Sequence, residues 1–200
     1  MMNRIVIFVL ILFMSSCSPK SFESKKDMLM YLADEENGFV QHKKVNGVEF
    51  TLLYRPTDLM VAHELPDKAE DKDVYELVKK YRDHAYFTLS LGKNNREILT
   101  EVASDKGAYR KLLQKLSFGI ERNITVTTQQ RDTIPVVDFI YPRMYDLDGK
   151  NTVMFVLKKT DKILNDKSLN ISIADLGLMT GEVTFKLPTA IIRNEPKINF

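Results

Sequence analysis

The chain reads as an α+β domain: an antiparallel β-sheet or sandwich with three to four helices packed on one side or at one end. Three observations predict this. Asn46-Gly47 sits between two stretches of alternating apolar and polar residues, the signature of a two-residue β-hairpin. Separate segments carry apolar residues at helical spacing. From Ile120 onward the pattern turns to period-two runs, and no helix–strand spacing demands a parallel sheet.

Ser24 to Glu36 is the first expected helix, with Met28, Leu29, Tyr31 and Leu32 on its apolar side and Asn37-Gly38 as a left-handed stop. The hairpin follows, Phe39 to Arg55. Pairing outward from Asn46-Gly47 sets Val45 opposite Val48 and Lys44 opposite Glu49. That register gathers Phe39, Val45, Val48, Phe50, Leu52 and Tyr54 on one face and leaves Lys44, Glu49, Thr51 and Arg55 on the other. Thr57 is the expected cap of a short helix, Asp58 to Leu65, stopped by Pro66. After a charged loop, Val74, Leu77, Val78 and Tyr81 recur at the spacing of an amphipathic helix. Ala85 to Leu91 alternates as a strand, and Gly92 to Asn95 turns it. A helix over Asp105 to Leu116, capped by Ser104 and ended near Gly119, packs Ala108, Tyr109, Leu112, Leu113 and Leu116.

The β-rich half begins at Ile120 to Thr128, with Ile124 and Val126 inward. Thr133 to Tyr141 is a second run, in which Pro135 favours an edge or a strand start. Asn151 to Lys158 is apolar on both sides at Met154 to Leu157, as a central strand would be. Leu169 to Ala174 and Glu182 to Leu187 form a further pair across a Gly-containing turn, and Ile191 to Phe200 packs back on the domain.

The first residues have a different role. Arg4 precedes an unbroken apolar run, Ile5 to Met14. These ten residues reach only about 15 Å as a helix, roughly half a bilayer's hydrocarbon core. A basic start, a short apolar centre and the small residues Ser15 and Ser16 make a secretory signal peptide. Cys17 follows directly and is the only cysteine of the chain. A free thiol in an exported protein invites oxidation. The expected division is therefore a signal peptide over 1–16, a tether over 17–23 and one domain over 24–200.

Met14-Ser15-Ser16-Cys17 resembles the lipobox of bacterial lipoproteins, with methionine where leucine is more common. The segments Tyr31 to Gly38 (YLADEENG), Val45 to Val48 (VNGV), Tyr54 to Pro56 and Asp175 to Gly181 (DLGLMTG) resemble a loose family of uncharacterised lipoproteins from Bacteroidota-type bacteria. This resemblance implies cleavage before Cys17, a diacylglycerol on its sulfur and an acylated amine. It brings no catalytic residues with it. Ser18 in place of aspartate implies sorting to the outer membrane. The lack of a compact acidic run beside the cysteine implies its periplasmic face, with surface exposure left open.

Composition narrows the partners. The balance of 29 Lys and Arg against 27 Asp and Glu gives a net charge of +2, too small to point to nucleic acid. The expected partners are the membrane, through the N-terminal lipid, and a protein of the envelope. Neither cofactor nor metal is expected. His42, His63 and His84 show no metal-ligand spacing. Asp146, Asp148 and Asn151 around Gly149 have the outline of a calcium loop, but Met144 and Phe155 stand where oxygen ligands are required. An Asp-Gly turn explains these residues. Nucleophile elbows, P-loops and zinc-protease motifs are absent from the sequence. Acylation of Cys17 removes the one thiol nucleophile. Asp132-Thr133-Ile134 matches a short O-glycosylation pattern of exported proteins, making Thr133 a candidate site.

The sequence therefore predicts a membrane-anchored accessory or interaction module. Two alternatives stay open: a hydrolase whose carboxylates are assembled by the fold, and a carrier of small apolar ligands.

Overall fold

The computed structural model describes residues 19–66, 68–142 and 149–200. The signal peptide, Cys17, Met144, Asp146 and Asp148 lie outside these residues. The fold is α+β, as the patterns predict. Four helices have eight residues or more: α1 (Lys25–Ala33), α2 (Thr57–Glu64), α3 (Asp71–Tyr81) and, after the single turn α4 (Ile98–Glu101), α5 (Lys106–Phe118).

The N-terminal strand β1 (Ser21–Phe22) precedes α1 and joins no large sheet. The first large sheet contains β2 (Val40–Val45), β3 (Val48–Arg55), β4 (His84–Lys93), β5 (Arg96–Glu97), β8 (Val136–Ile140) and β9 (Asn151–Lys158). Its order is β2-β3-β4-β9-β8, antiparallel throughout, with β5 folded onto β4. The second sheet contains β6 (Ile124–Thr128), β7 (Thr133–Ile134), β10 (Ser168–Ile173) and β11 (Val183–Pro188), in the antiparallel order β11-β10-β6-β7. Two further turns of helix, α6 (Asp161–Leu164) and α7 (Ala190–Arg193), flank this sheet's strands in the chain, and β12 (Lys197–Ile198) pairs parallel with β1.

Both large sheets turn their apolar faces to one core. Phe50, Leu52 and Tyr54 of β3, Phe87 and Leu89 of β4 and Phe155 of β9 meet Val126 of β6, Ile171 of β10 and Phe185 of β11. Leu112 and Leu116 bring α5 into the same cluster. A smaller cluster lies on the opposite face of the first sheet, where Met60 of α2 and Tyr81 of α3 cover Tyr86 and Val156.

The hairpin has the register its sequence predicts: Val45 opposite Val48 and Lys44 opposite Glu49. Asn46 and Gly47 both have positive φ, 50° and 77°, as a type I′ turn requires. Gly47→Val should destabilise the domain by about 1–3 kcal/mol, because a β-branched residue resists positive φ. Among the described residues the added Cβ meets just the flexible end of Lys93, at 3.4 Å, so backbone strain dominates. Urea unfolding measures the loss; an unchanged midpoint would mean the turn tolerates rearrangement.

Several boundaries differ from the local reading. The run Thr133 to Tyr141 is two strands in two sheets. Pro135 separates β7 from β8, and having no N–H it cannot donate to either ladder. A register shift between Val136 and Asp138 completes the turn from one sheet to the other. Residues Ile120–Asn123 form a 3₁₀ turn before β6. Asp105, not Ser104, caps α5: its carboxylate accepts the N–H groups of Gly107 and Ala108 at 2.8 and 3.0 Å. Thr57 is not a cap but the first residue of α2. The expected tether is shorter than residues 17–23, because Ser21–Phe22 already pairs with Lys197–Ile198.

Candidate functional site

The sequence-derived candidates do not converge. Asn151 is spent on structure: its carbonyl accepts the Leu99 N–H at 3.0 Å, and its amide donates to Glu97 and to the Tyr141 hydroxyl, each at 3.1 Å. It thereby holds the start of α4. The three histidines have separate environments. His42 bonds Thr51 at 2.9 Å, His63 meets Lys25 at 2.9 Å, and His84 packs by Tyr86. Among the described residues no three His, Cys, Asp or Glu side chains gather as a metal site would require. Thr133 is exposed on the edge strand β7. Glu35 and Glu36 lie exposed in a 3₁₀ turn.

One set of buried ionisable groups forms a network the sequence did not reveal. Glu195 (side chain 7 % exposed) and Lys159 (11 %) are ion-paired. Tyr54 donates its hydroxyl proton to the same carboxylate. The other carboxylate oxygen accepts the Thr57 N–H at 3.0 Å, and Lys159 also donates to the Thr57 hydroxyl at 3.2 Å. Glu195 therefore caps the start of α2 from the far end of the chain, where free N–H groups favour an anion. Burial, followed by the charge of Glu195 and its hydrogen bond, pushes the Tyr54 hydroxyl well above its usual pKa. Next to this network, Asp58 accepts the Ile198 N–H at 2.9 Å and lies 3.5 Å from Lys197. Every oxygen of Glu195 is thus occupied within the fold, and the network is a latch holding the C-terminal segment to α2.

The open concavity lies elsewhere. A groove of about 730 Å³ runs between α5 and the segment Leu176-Gly177-Leu178. Leu112 and Leu176 form its buried floor, and Phe118 stands at its rim, 71 % exposed. Lys111, Lys115 and Arg122 supply positive charge around it. The one acidic lining residue, Asp105, has its carboxylate committed to the α5 cap. Among the described residues no second carboxylate and no histidine lines it.

Asp175 shapes the groove's second wall. Its carboxylate accepts the N–H groups of Gly177 at 2.8 Å, Leu178 at 2.7 Å and Gly181 at 3.3 Å. Burial opposes the charged form, but these donors outweigh it and hold the carboxyl below its ordinary pKa. Gly177, Met179 and Gly181 all take positive φ, so the loop turns sharply. Lys115 ties it to α5 through the Asp175 carbonyl at 3.3 Å, and the Asn46 amide ties it to the hairpin through the Met179 carbonyl. Met179 itself is 83 % exposed. The YLADEENG segment ends α1 and forms the 3₁₀ turn after it, whereas DLGLMTG forms this wall.

Comparison with protein-family models, with curated proteins and with solved structures finds no match to this chain.

Proposed function

We propose that the chain is an exported lipoprotein anchored through Cys17 at the outer membrane, and that its domain is a binding module. Its groove docks an acidic, aliphatic segment of an envelope protein. The observation that carries this reading is the groove's chemistry: an apolar floor of Leu112 and Leu176 beneath Lys111, Lys115 and Arg122. A segment alternating aliphatic and acidic residues complements both parts. The groove is only partly enclosed, which suits a peptide better than an acyl chain needing enclosure. The lack of paired carboxylates in it favours binding over hydrolysis.

The anchor and the groove fit one orientation. The four peptide steps from Cys17 to Ser21 span at most about 14 Å. From Phe22 the rings of Tyr31, Phe39, Tyr54, Phe87 and Phe155 follow one another into the core, with centroids 5.1–6.4 Å apart. Lys20 lies 4.1 Å over the Tyr31 ring. An acylated Cys17 would hold this end against the membrane. The groove, joined to the hairpin turn at Asn46, lies about one strand length, ~25 Å, further out.

A photo-crosslinking residue at Phe118, in intact cells, tests the groove. The expected result is a link to an acidic, aliphatic stretch of one envelope protein, lost in Lys111→Glu/Lys115→Glu. A co-purifying fatty acid displaced by the same changes would support the carrier alternative instead. Links that ignore the charge reversal would overturn the docking.

A further inference from the structure

We propose that Arg55, Lys25 and His63 form a binding site for a phosphate group beside the start of α1. Arg55 is the last residue of β3 and projects from the sheet face opposite the main core, half-buried beside α2. Its Nε donates to the Met60 sulfur at 3.4 Å, a weak acceptor. Among the described residues no carboxylate pairs with it. Buried charges are ordinarily paired, and an arginine fork is matched best by a bidentate oxyanion.

The neighbouring groups add positive charge rather than relieve it. Lys25, the first residue of α1, places its ammonium 2.9 Å from Nδ1 of His63 on α2. A lysine donating to that nitrogen requires a neutral imidazole with its proton on Nε2. Burial, then Arg55, then Lys25 pull the His63 pKa down to about 4. The acids nearby are engaged elsewhere. Glu64 accepts from Lys80 and Tyr81, Asp58 from Ile198, Glu195 from Lys159 and Tyr54, and Asp27 from Ser24. On the sheet, Arg55 shares a row with Tyr86, Val156 and Asp138, and Tyr86 pairs directly with it.

Arg55 and Lys25 thus set two cations beside a histidine held neutral. A phosphate would take two N–H bonds from Arg55 and one from Lys25, and would favour the imidazolium that these two cations disfavour. The shared chemistry is a phosphate oxyanion, supplied by a lipid headgroup or by free phosphate. The site itself does not depend on the groove or on acylation of Cys17.

The test follows the His63 ring signal by NMR on the full chain, assigned with His63→Gln. Inorganic phosphate, at ionic strength matched with chloride, should move the His63 midpoint upward from about 4 toward the ordinary 6.5. Arg55→Gln should raise the midpoint without phosphate, by removing repulsion, and weaken the phosphate response about tenfold. Arg55→Lys, which keeps the charge but loses the fork, should fall between. A parallel titration uses monomeric dihexanoylphosphatidylglycerol. A response to both probes marks a general phosphate site; a response to the lipid alone marks a headgroup site. A His63 midpoint that neither probe moves, or an equal response in Arg55→Gln, would overturn the proposal.

Discussion

Glu195→Ala should lower the unfolding free energy by about 3–5 kcal/mol, the range for breaking a buried ion pair from one side. The change leaves the Lys159 ammonium buried with only the Thr57 hydroxyl as partner, and it removes the acceptor of the Thr57 N–H and the Tyr54 hydroxyl. The N-terminus of α2 loses its anion at the same time. Glu195→Gln keeps an acceptor for Thr57 but discards the charge, so its loss should be smaller. The double change Lys159→Met/Glu195→Leu should recover much of the stability, because it removes both charges instead of stranding one. Denaturant unfolding of the three variants reads these differences. A loss under about 1 kcal/mol for Glu195→Ala, the size of an exposed pair, would show that solvent screens the network. The latch also holds Glu195 close to β12, which pairs with β1. Faster proteolysis at the N-terminal end of Glu195→Ala should therefore accompany the loss.

Cys17→Ala should move the protein from the membrane fraction to a soluble or uncleaved form. Each buried CH₂ of an acyl chain contributes roughly 0.8 kcal/mol, and two chains hold a protein stably where one binds reversibly. Among the described residues no helix is long and apolar enough to cross a membrane. Mass spectrometry of the mature N-terminus should find acylated Cys17 followed by Ser18. Density fractionation should place the wild type with the outer membrane. Recovery in the inner membrane would refute the sorting, and a soluble wild type would refute the anchor. Protease treatment of whole cells then distinguishes the periplasmic face from the surface.

Much of the β-architecture was legible because its determinants are local. Asn46-Gly47 needs positive φ at both residues, and the alternation on either side admits one register that buries Phe50, Leu52 and Tyr54. The double-sided apolar run of β9 marked an interior strand for the same reason, and β4 and β8 flank it. The lipobox-like stretch is a linear pattern of another kind, and the expectation it carries lies outside the described residues. Tertiary structure decided the rest. Pro135 announced a break but not that β7 and β8 belong to different sheets. Thr57 looked like a cap, yet the anion at the start of α2 is Glu195, which no local pattern connects to it. Asn151 read locally as part of an Asp-Gly turn and a strand start; that its carbonyl accepts the Leu99 N–H appears only in the packed chain. The groove joins α5 to a loop beyond β10, and the proposed phosphate site joins α1, β3 and α2. Turns, periods and export signals depend on residues a few positions apart. Capping by remote side chains, shared cavities and unpaired charge depend on which segments meet in space, and only the packed chain sets that.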